Sequence, residues 1–259
     1  MTPYYETELG KLYHGDCLEI MPQLEPVDMI LCDLPYGITA CQWDTVIPFG
    51  LLWKEYKRLI IGNGAIVLTA SQPFTSALVM SNIEMFKCEW IWEKTTPSNI
   101  SAKTVPMKYH EEVIVFCKST PIFNKQLEPR SETGRKRLMN RKSTIKFSSA
   151  KTNGGIVVKN EYPADRYNIY FKHPSSIQKF IVKKGNIHPT QKPVALFEYL
   201  IKTYTNEDDM VMDNCVGSGT TAIACERLKR KWIGIEIEEK YCEIAAKRIE
   251  QERKQLNLF

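Results

Sequence analysis

Four acidic residues each follow a short apolar run in this chain of 259 residues: Asp16 after 11–15, Asp33 after 29–32, Asp213 after 210–212 and Glu236 after 231–235. Runs of that length bounded by turn chemistry read as buried strands. In a single parallel sheet all four carboxylates would reach one edge, where open α/β sheets bind their ligands. Between the runs, apolar residues recur at helical spacing, as in Leu18, Met21 and Leu24, in Leu51, Leu52, Tyr56, Leu59 and Ile60, and in Val194, Leu196, Phe197, Leu200 and Ile201. Alternating strands and helices with short links predict an α/β fold with a doubly wound, mostly parallel sheet.

Along the chain, Gly62-Asn63-Gly64 is expected to close the helix over 51–60, with a buried strand at 65–69 and a helix from Pro73 to about residue 81. Strands are expected at 87–92 and 112–118. From 121 to about 184 the pattern breaks into Ser, Thr, Lys, Arg and Gly, as in an insertion. Regular structure resumes at Pro193, and a charged helix closes the chain over 238–254.

Hydrophobic residues make up 43% of the chain, ample for a large core. No apolar run approaches the roughly 18 residues of a membrane span, so a cytoplasmic protein is expected. The eight cysteines include no C-x-x-C pair and the four histidines are scattered, so reduced core thiols are expected and a zinc site is not. Charge is concentrated: between 121 and 160 ten basic residues, among them Arg135, Lys136, Arg137, Arg141 and Lys142, face only Glu128 and Glu132. That local excess of +8 leaves −3 for the rest of a chain of net +5, the pattern of a nucleic-acid contact surface or of a solvated basic loop.

The run Asp33-Leu34-Pro35-Tyr36 puts a carboxylate, a fixed backbone turn and an aromatic face at one strand end. Acceptors beside a stacking surface suit a planar ring that bears an amine. Gly217-Ser218-Gly219, between a strand and a helix, lets a ligand approach the backbone and aims helix-start amides at it. Glu236 ends the next strand, where a carboxylate can bind ribose hydroxyls. A nucleoside cofactor follows, with a nicotinamide one still open.

These motifs, with Asp213 ahead of the glycines, Thr220-Thr221 after them and His188-Pro189-Thr190-Gln191-Lys192-Pro193 upstream, resemble the S-adenosylmethionine-dependent DNA amino-methyltransferases that modify adenine N6 or cytosine N4. The motif order resembles the β group of that family. The resemblance implies a Rossmann-like methyltransferase fold: a catalytic half at 1–120, a target-recognition insertion at 121–187 and a cofactor half at 188–259. It implies that Asp33 and the Leu34 carbonyl accept hydrogen bonds from the target amine, that Pro35 shapes the turn and that Tyr36 stacks on the base. Leu34 departs from the family's usual proline, but the role there belongs to a backbone carbonyl. S-adenosylmethionine would be held by Asp16, Asp213, Gly217, Gly219, Thr220, Thr221 and Glu236, with Thr190 and Lys192 closing the pocket. Arg135, Lys136, Arg137, Arg141 and Lys142 would contact double-stranded DNA, and the resemblance allows a homodimer in a bacterial or phage modification system. Aspartate at the head of the motif favours adenine N6 over cytosine N4 within the family; methylation of RNA or of a glutamine amide is a more distant alternative.

Overall fold

A computed structural model describes residues 1–38, 44–98, 103–139, 145–147, 160–162, 168–181 and 191–256. In chain order the elements are β1 (Tyr5–Glu6), β2 (Gly10–His14), α1 (Cys17–Ile20) with a 3-10 turn at Met21–Gln23, β3 (Val27–Asp33), α2 (Phe49–Leu59), β4 (Ile60–Ala70), α3 (Phe74–Ser81), β5 (Phe86–Glu93), β6 (His110–Phe116), β7 (Glu128–Pro129), α4 (Glu132–Met139), β8 (Ile145–Phe147), β9 (Asn160–Tyr162), β10 (Phe171–Lys172), β11 (Ile177–Lys179), α5 (Val194–Tyr204), β12 (Met210–Asp213), α6 (Thr220–Leu228), β13 (Lys231–Glu236) and α7 (Glu239–Leu256). They fall into two compact units, Met1–Asn124 with Ser176–Phe259, and Lys125–Ser175.

The large unit carries a sheet ordered β1-β2-β13-β12-β3-β4-β6-β5-β11. All its strands run parallel except β1 and β6. From β3 the chain moves outward to β4, whereas from β12 it moves the other way to β13, so the winding reverses between the adjacent strands β3 and β12. At such a switch point the two connections part and leave a crevice at the carboxyl ends of the strands. Asp33 and Asp213 are the last residues of these two strands.

Both faces of the sheet are covered. Met29 and Leu31 of β3 belong to a core shared with α5, α6 and α7, whereas Ile30 and Cys32 belong to one shared with α1, α2 and α3. A strand buried on both sides has no polar face, so its sequence is a continuous apolar run. Gly10 is required in this packing, because a Cβ there would lie 2.3 Å from the Trp232 ring.

Two expectations change. Gly62, Asn63 and Gly64 lie inside β4, which follows α2 directly at Ile60. Pairing of β4 with β3 slips between Val27 and Met29, and a Cβ at Gly64 would lie 2.6 Å from the Asp28 carbonyl. Both glycines lie in this strand irregularity, and Gly64 also serves the close backbone approach, whereas a Cβ at Gly62 would meet nothing within 4 Å. Both ends of the expected insertion also belong to the large unit: Asn124 N donates to the Thr203 carbonyl at 2.7 Å, and β11 pairs with Ile91–Glu93 of β5. The small unit pairs β7 with β10 and β8 with β9, and carries α4, which has no buried residue. Among the described residues no helix is long and apolar enough to cross a membrane.

Candidate active site

A cavity of about 790 Å³ opens at the switch point, within the 300–1,000 Å³ usual for small-ligand sites. Asp16, Asp33, Leu34, Pro35, Tyr36, Lys192, Asp213, Gly217, Thr220 and Glu236 all line it. Gly219 and Thr221 lie behind its wall. Thr190, Arg141 and Lys142 fall outside the described residues, as do His188 and Pro189. Arg135 is partly exposed on α4 of the small unit, and Lys136 and Arg137 are exposed there.

On the glycine side, Asp213 is 3% exposed. Its Oδ1 accepts from Cys215 N at 3.0 Å and its Oδ2 from the Thr221 hydroxyl. Both oxygens therefore brace the turn from within, and burial lifts the carboxyl to about 6. Gly217 and Gly219 have φ of +52° and +85°. A Cβ at Gly219 would meet Ala245 of α7 at 3.1 Å, so the turn and that helix pack backbone to backbone. Arg248 of α7 also donates to Ser218 Oγ at 2.7 Å, an anchor that local sequence does not announce. Glu236 accepts from Gly217 N at 2.8 Å on Oε2 and from Glu238 N at 2.9 Å on Oε1. Burial raises its carboxyl and those amides pull it back. One lone pair per oxygen remains for hydroxyl donors. Asp16 caps α1, accepting from Leu18 N at 2.8 Å, and its carboxylate also faces the cavity.

On the Asp33 side the carboxylate is tightly held. Its Oδ1 takes the Tyr36 hydroxyl at 2.8 Å and the Thr69 hydroxyl, and its Oδ2 takes Lys192 Nζ at 2.7 Å. Lys192 therefore reaches Asp33, where the resemblance had it beside the cofactor. Glu111, from the start of β6, sits 3.5 Å from Lys192 and 2.6 Å from Lys94. The Tyr36 ring stacks on Phe74 with centroids 5.1 Å apart. Its hydroxyl is pushed well above its usual range, first by burial and then by Asp33 and Glu111. Asp44 secures the following turn through Gly37 N at 2.9 Å and Ile38 N at 3.0 Å. Trp53 and Trp90 are core residues, whereas Trp92, though 3% exposed, also borders the cavity.

Thr69, Lys94 and Glu111 are the functional candidates that pattern analysis missed. Thr69 follows the apolar run 65–68 as Asp33 follows 29–32, which was a usable signal, and the two residues pair between β3 and β4. Glu111 is the second residue of β6, and only the antiparallel direction of that strand carries its start to the rim formed by the carboxyl ends of its neighbours.

The donor set fits S-adenosylmethionine: close-approach backbone at Gly217, a hydroxyl-binding carboxylate at Glu236, and the buried Oε1 of Gln191, a residue that lines the same cavity, with no hydrogen-bond partner among the described residues. Fold and site together define a Rossmann-like methyltransferase. A DNA methylase family profile covers residues 27–247, and the chain belongs to that family, the S-adenosylmethionine-dependent amino-methyltransferases of N6/N4 type. It is 28% identical over 275 residues to the type II methyltransferase M2.LlaDCHI of Lactococcus lactis subsp. cremoris, covering 95% of this chain and 91% of that protein. It is also 28% identical to M2.DpnII of Streptococcus pneumoniae, covering 96% and 93%. Among solved structures, the M1.HpyAVI–SAM complex superposes with a TM-score of 0.61 at 27% identity, covering 92% of this chain and 99% of that one. The cytosine-N4-specific PvuII DNA methyltransferase shares the fold, with a TM-score of 0.63 at 18% identity.

Proposed function

We propose that this chain methylates the N6 amine of an adenine flipped out of duplex DNA. The observation that carries the proposal is that the Asp33 carboxylate and the Gly217 turn line one cavity. S-adenosylmethionine, when bound, supplies an electrophilic methyl on a sulfonium.

An exocyclic amine is a poor nucleophile because its lone pair is delocalised into the ring. Asp33 and the Leu34 carbonyl would accept its two hydrogens, localise that pair and offset the positive charge that grows on nitrogen. A target base cannot be reached inside a duplex, so the nucleotide must leave the stack at a cost of a few kcal/mol. Stacking on Tyr36, worth about 1 to 3 kcal/mol, offsets part of this. Phe74 behind the ring and the Asp33–Thr69 contacts at its hydroxyl hold that surface in place. Glu236 would take the ribose hydroxyls. Arg135, Lys136 and Arg137 would hold phosphates, with base contacts supplying sequence selectivity.

The test is methyl-labelled S-adenosylmethionine with unmodified duplex DNA, digested to nucleosides. Label in N6-methyladenine supports the proposal. Label in N4-methylcytosine, or none in DNA while RNA is labelled, overturns it.

A further inference from the structure

The methyl-transfer scheme above uses Asp33 but not the charges behind it. A carboxylate offers about four lone-pair positions. The Tyr36 and Thr69 hydroxyls occupy those of Oδ1, and Lys192 Nζ occupies one of Oδ2, which leaves one position for an incoming amine hydrogen. Lys192 lies 159 residues away in sequence, yet its side chain is only 7% exposed. Asp33, Lys192, Glu111 and Lys94 form a row of alternating charge along the cavity, with N–O separations of 2.7, 3.5 and 2.6 Å.

The ionisable groups facing Asp33 come from several elements. Glu111 lies on β6, Asp213 ends β12, Tyr36 follows the turn, and Cys32 precedes it with its thiol pushed up to about 12 by burial. All of these are neutral or anionic. Among the described residues Lys192 is the cation in contact with Asp33. Burial alone would lower its pKa, but Asp33 and Glu111 together raise it. Without that ammonium, no cation among the described residues would hold Asp33 Oδ2, and the Glu111 carboxylate, 3.5 Å from the ammonium and still paired with Lys94, would repel it. An Asp33 turned away from the amine could not offset charge on it.

We propose that Lys192 is a positioning residue for methyl transfer: its ammonium holds Asp33 Oδ2 against the repulsion of Glu111 and leaves one acceptor position for the target amine. This rests on the amine-methylating function proposed above, and it differs from the cofactor contact that the resemblance implies for Lys192.

The experiment compares the wild type with Lys192→Met, Lys192→Arg, Glu111→Gln and the Lys192→Met/Glu111→Gln pair. Single-turnover methyl transfer to duplex DNA is followed at neutral pH, because it reads the transfer step apart from product release. Binding of S-adenosylmethionine is measured by calorimetry. Lys192→Met should bind S-adenosylmethionine within about threefold of wild type. Its transfer rate at neutral pH should fall about 100-fold, as expected when a reacting group is misplaced. The pair should regain part of the rate, because the repelling carboxylate is gone, and Lys192→Arg should recover most of it. Should Lys192→Met not fold, Lys192→Gln takes its place and should lose the rate in the same way. Weakened cofactor binding with an unchanged rate at saturation, or a transfer rate within about threefold of wild type, overturns the role of Lys192. A wild type that transfers no methyl to DNA overturns the function itself, a distinguishable result.

Discussion

Replacing Gly219 by alanine tests how the cofactor-side turn is built. At φ +85° a β-carbon costs about 1 to 2 kcal/mol in backbone strain. That atom would also lie 3.1 Å from Ala245 Cβ and 3.2 Å from its Cα, part of the α7 backbone, which cannot rotate aside. Overpacking of this kind adds about 1 to 3 kcal/mol. The total of about 2 to 5 kcal/mol is a large share of the 5 to 15 kcal/mol that holds a typical domain together. At about 2 to 4 °C per kcal/mol for a chain of this size, Gly219→Ala should lower the melting temperature by about 10 °C. Gly50→Ala is the control: that residue lies in the first turn of α2 with no atom within 4 Å of the added carbon, and it should gain about 0.5 to 1 kcal/mol. Thermal unfolding followed by circular dichroism reads both. A Gly219→Ala protein melting within about 2 °C of wild type would refute the packing of the turn against α7.

Burial raises Asp213 from 3.8 to about 6, so the folded state holds its proton more tightly than the unfolded chain. Its contribution to stability is present below about pH 4 and lost as pH rises through about 6, a change of about 3 kcal/mol. Melting curves at acid and neutral pH should therefore show wild type losing stability relative to Asp213→Asn as pH rises, and parallel curves would contradict this. Glu236→Ala removes the acceptor for Gly217 N and the hydroxyl-binding carboxylate; calorimetry should show S-adenosylmethionine binding weakened by about 10-fold or more, as for hydrogen bonds to a charged group. Replacing Arg135, Lys136 and Arg137 together by alanine should flatten the salt dependence of DNA binding by about 0.9 for each phosphate no longer neutralised and leave cofactor affinity intact. An unchanged slope would remove α4 from the DNA interface.

Much of the sheet was legible because burial on both faces writes itself as unbroken apolar runs, and β3, β12 and β13 end near the acids that marked them. What local pattern could not carry was pairing between distant segments. The reversed direction of β6 brings Glu111 to the site, and nothing in its own residues encodes that. Gly62 to Gly64 look like a helix stop until the Asp28 carbonyl is seen to need the space at Gly64. Ile177–Lys179 is too short and too exposed to show the alternation of a strand, yet β5 captures it at the sheet edge. Thr221 carries a family motif, but its hydroxyl points inward to Asp213, an interaction that spacing along the chain does not reveal.

The most direct measurement takes wild type and Asp33→Ala, expresses each in a host free of DNA methylation, and sequences the genome with modification detection, alongside cofactor titrations of both proteins. If Asp33 cradles the amine while the Gly217 turn holds the cofactor, wild type will leave N6-methyladenine in one fixed sequence context. Asp33→Ala will bind S-adenosylmethionine normally and leave none. An Asp33→Ala protein that methylates adenine at the wild-type level would contradict the account.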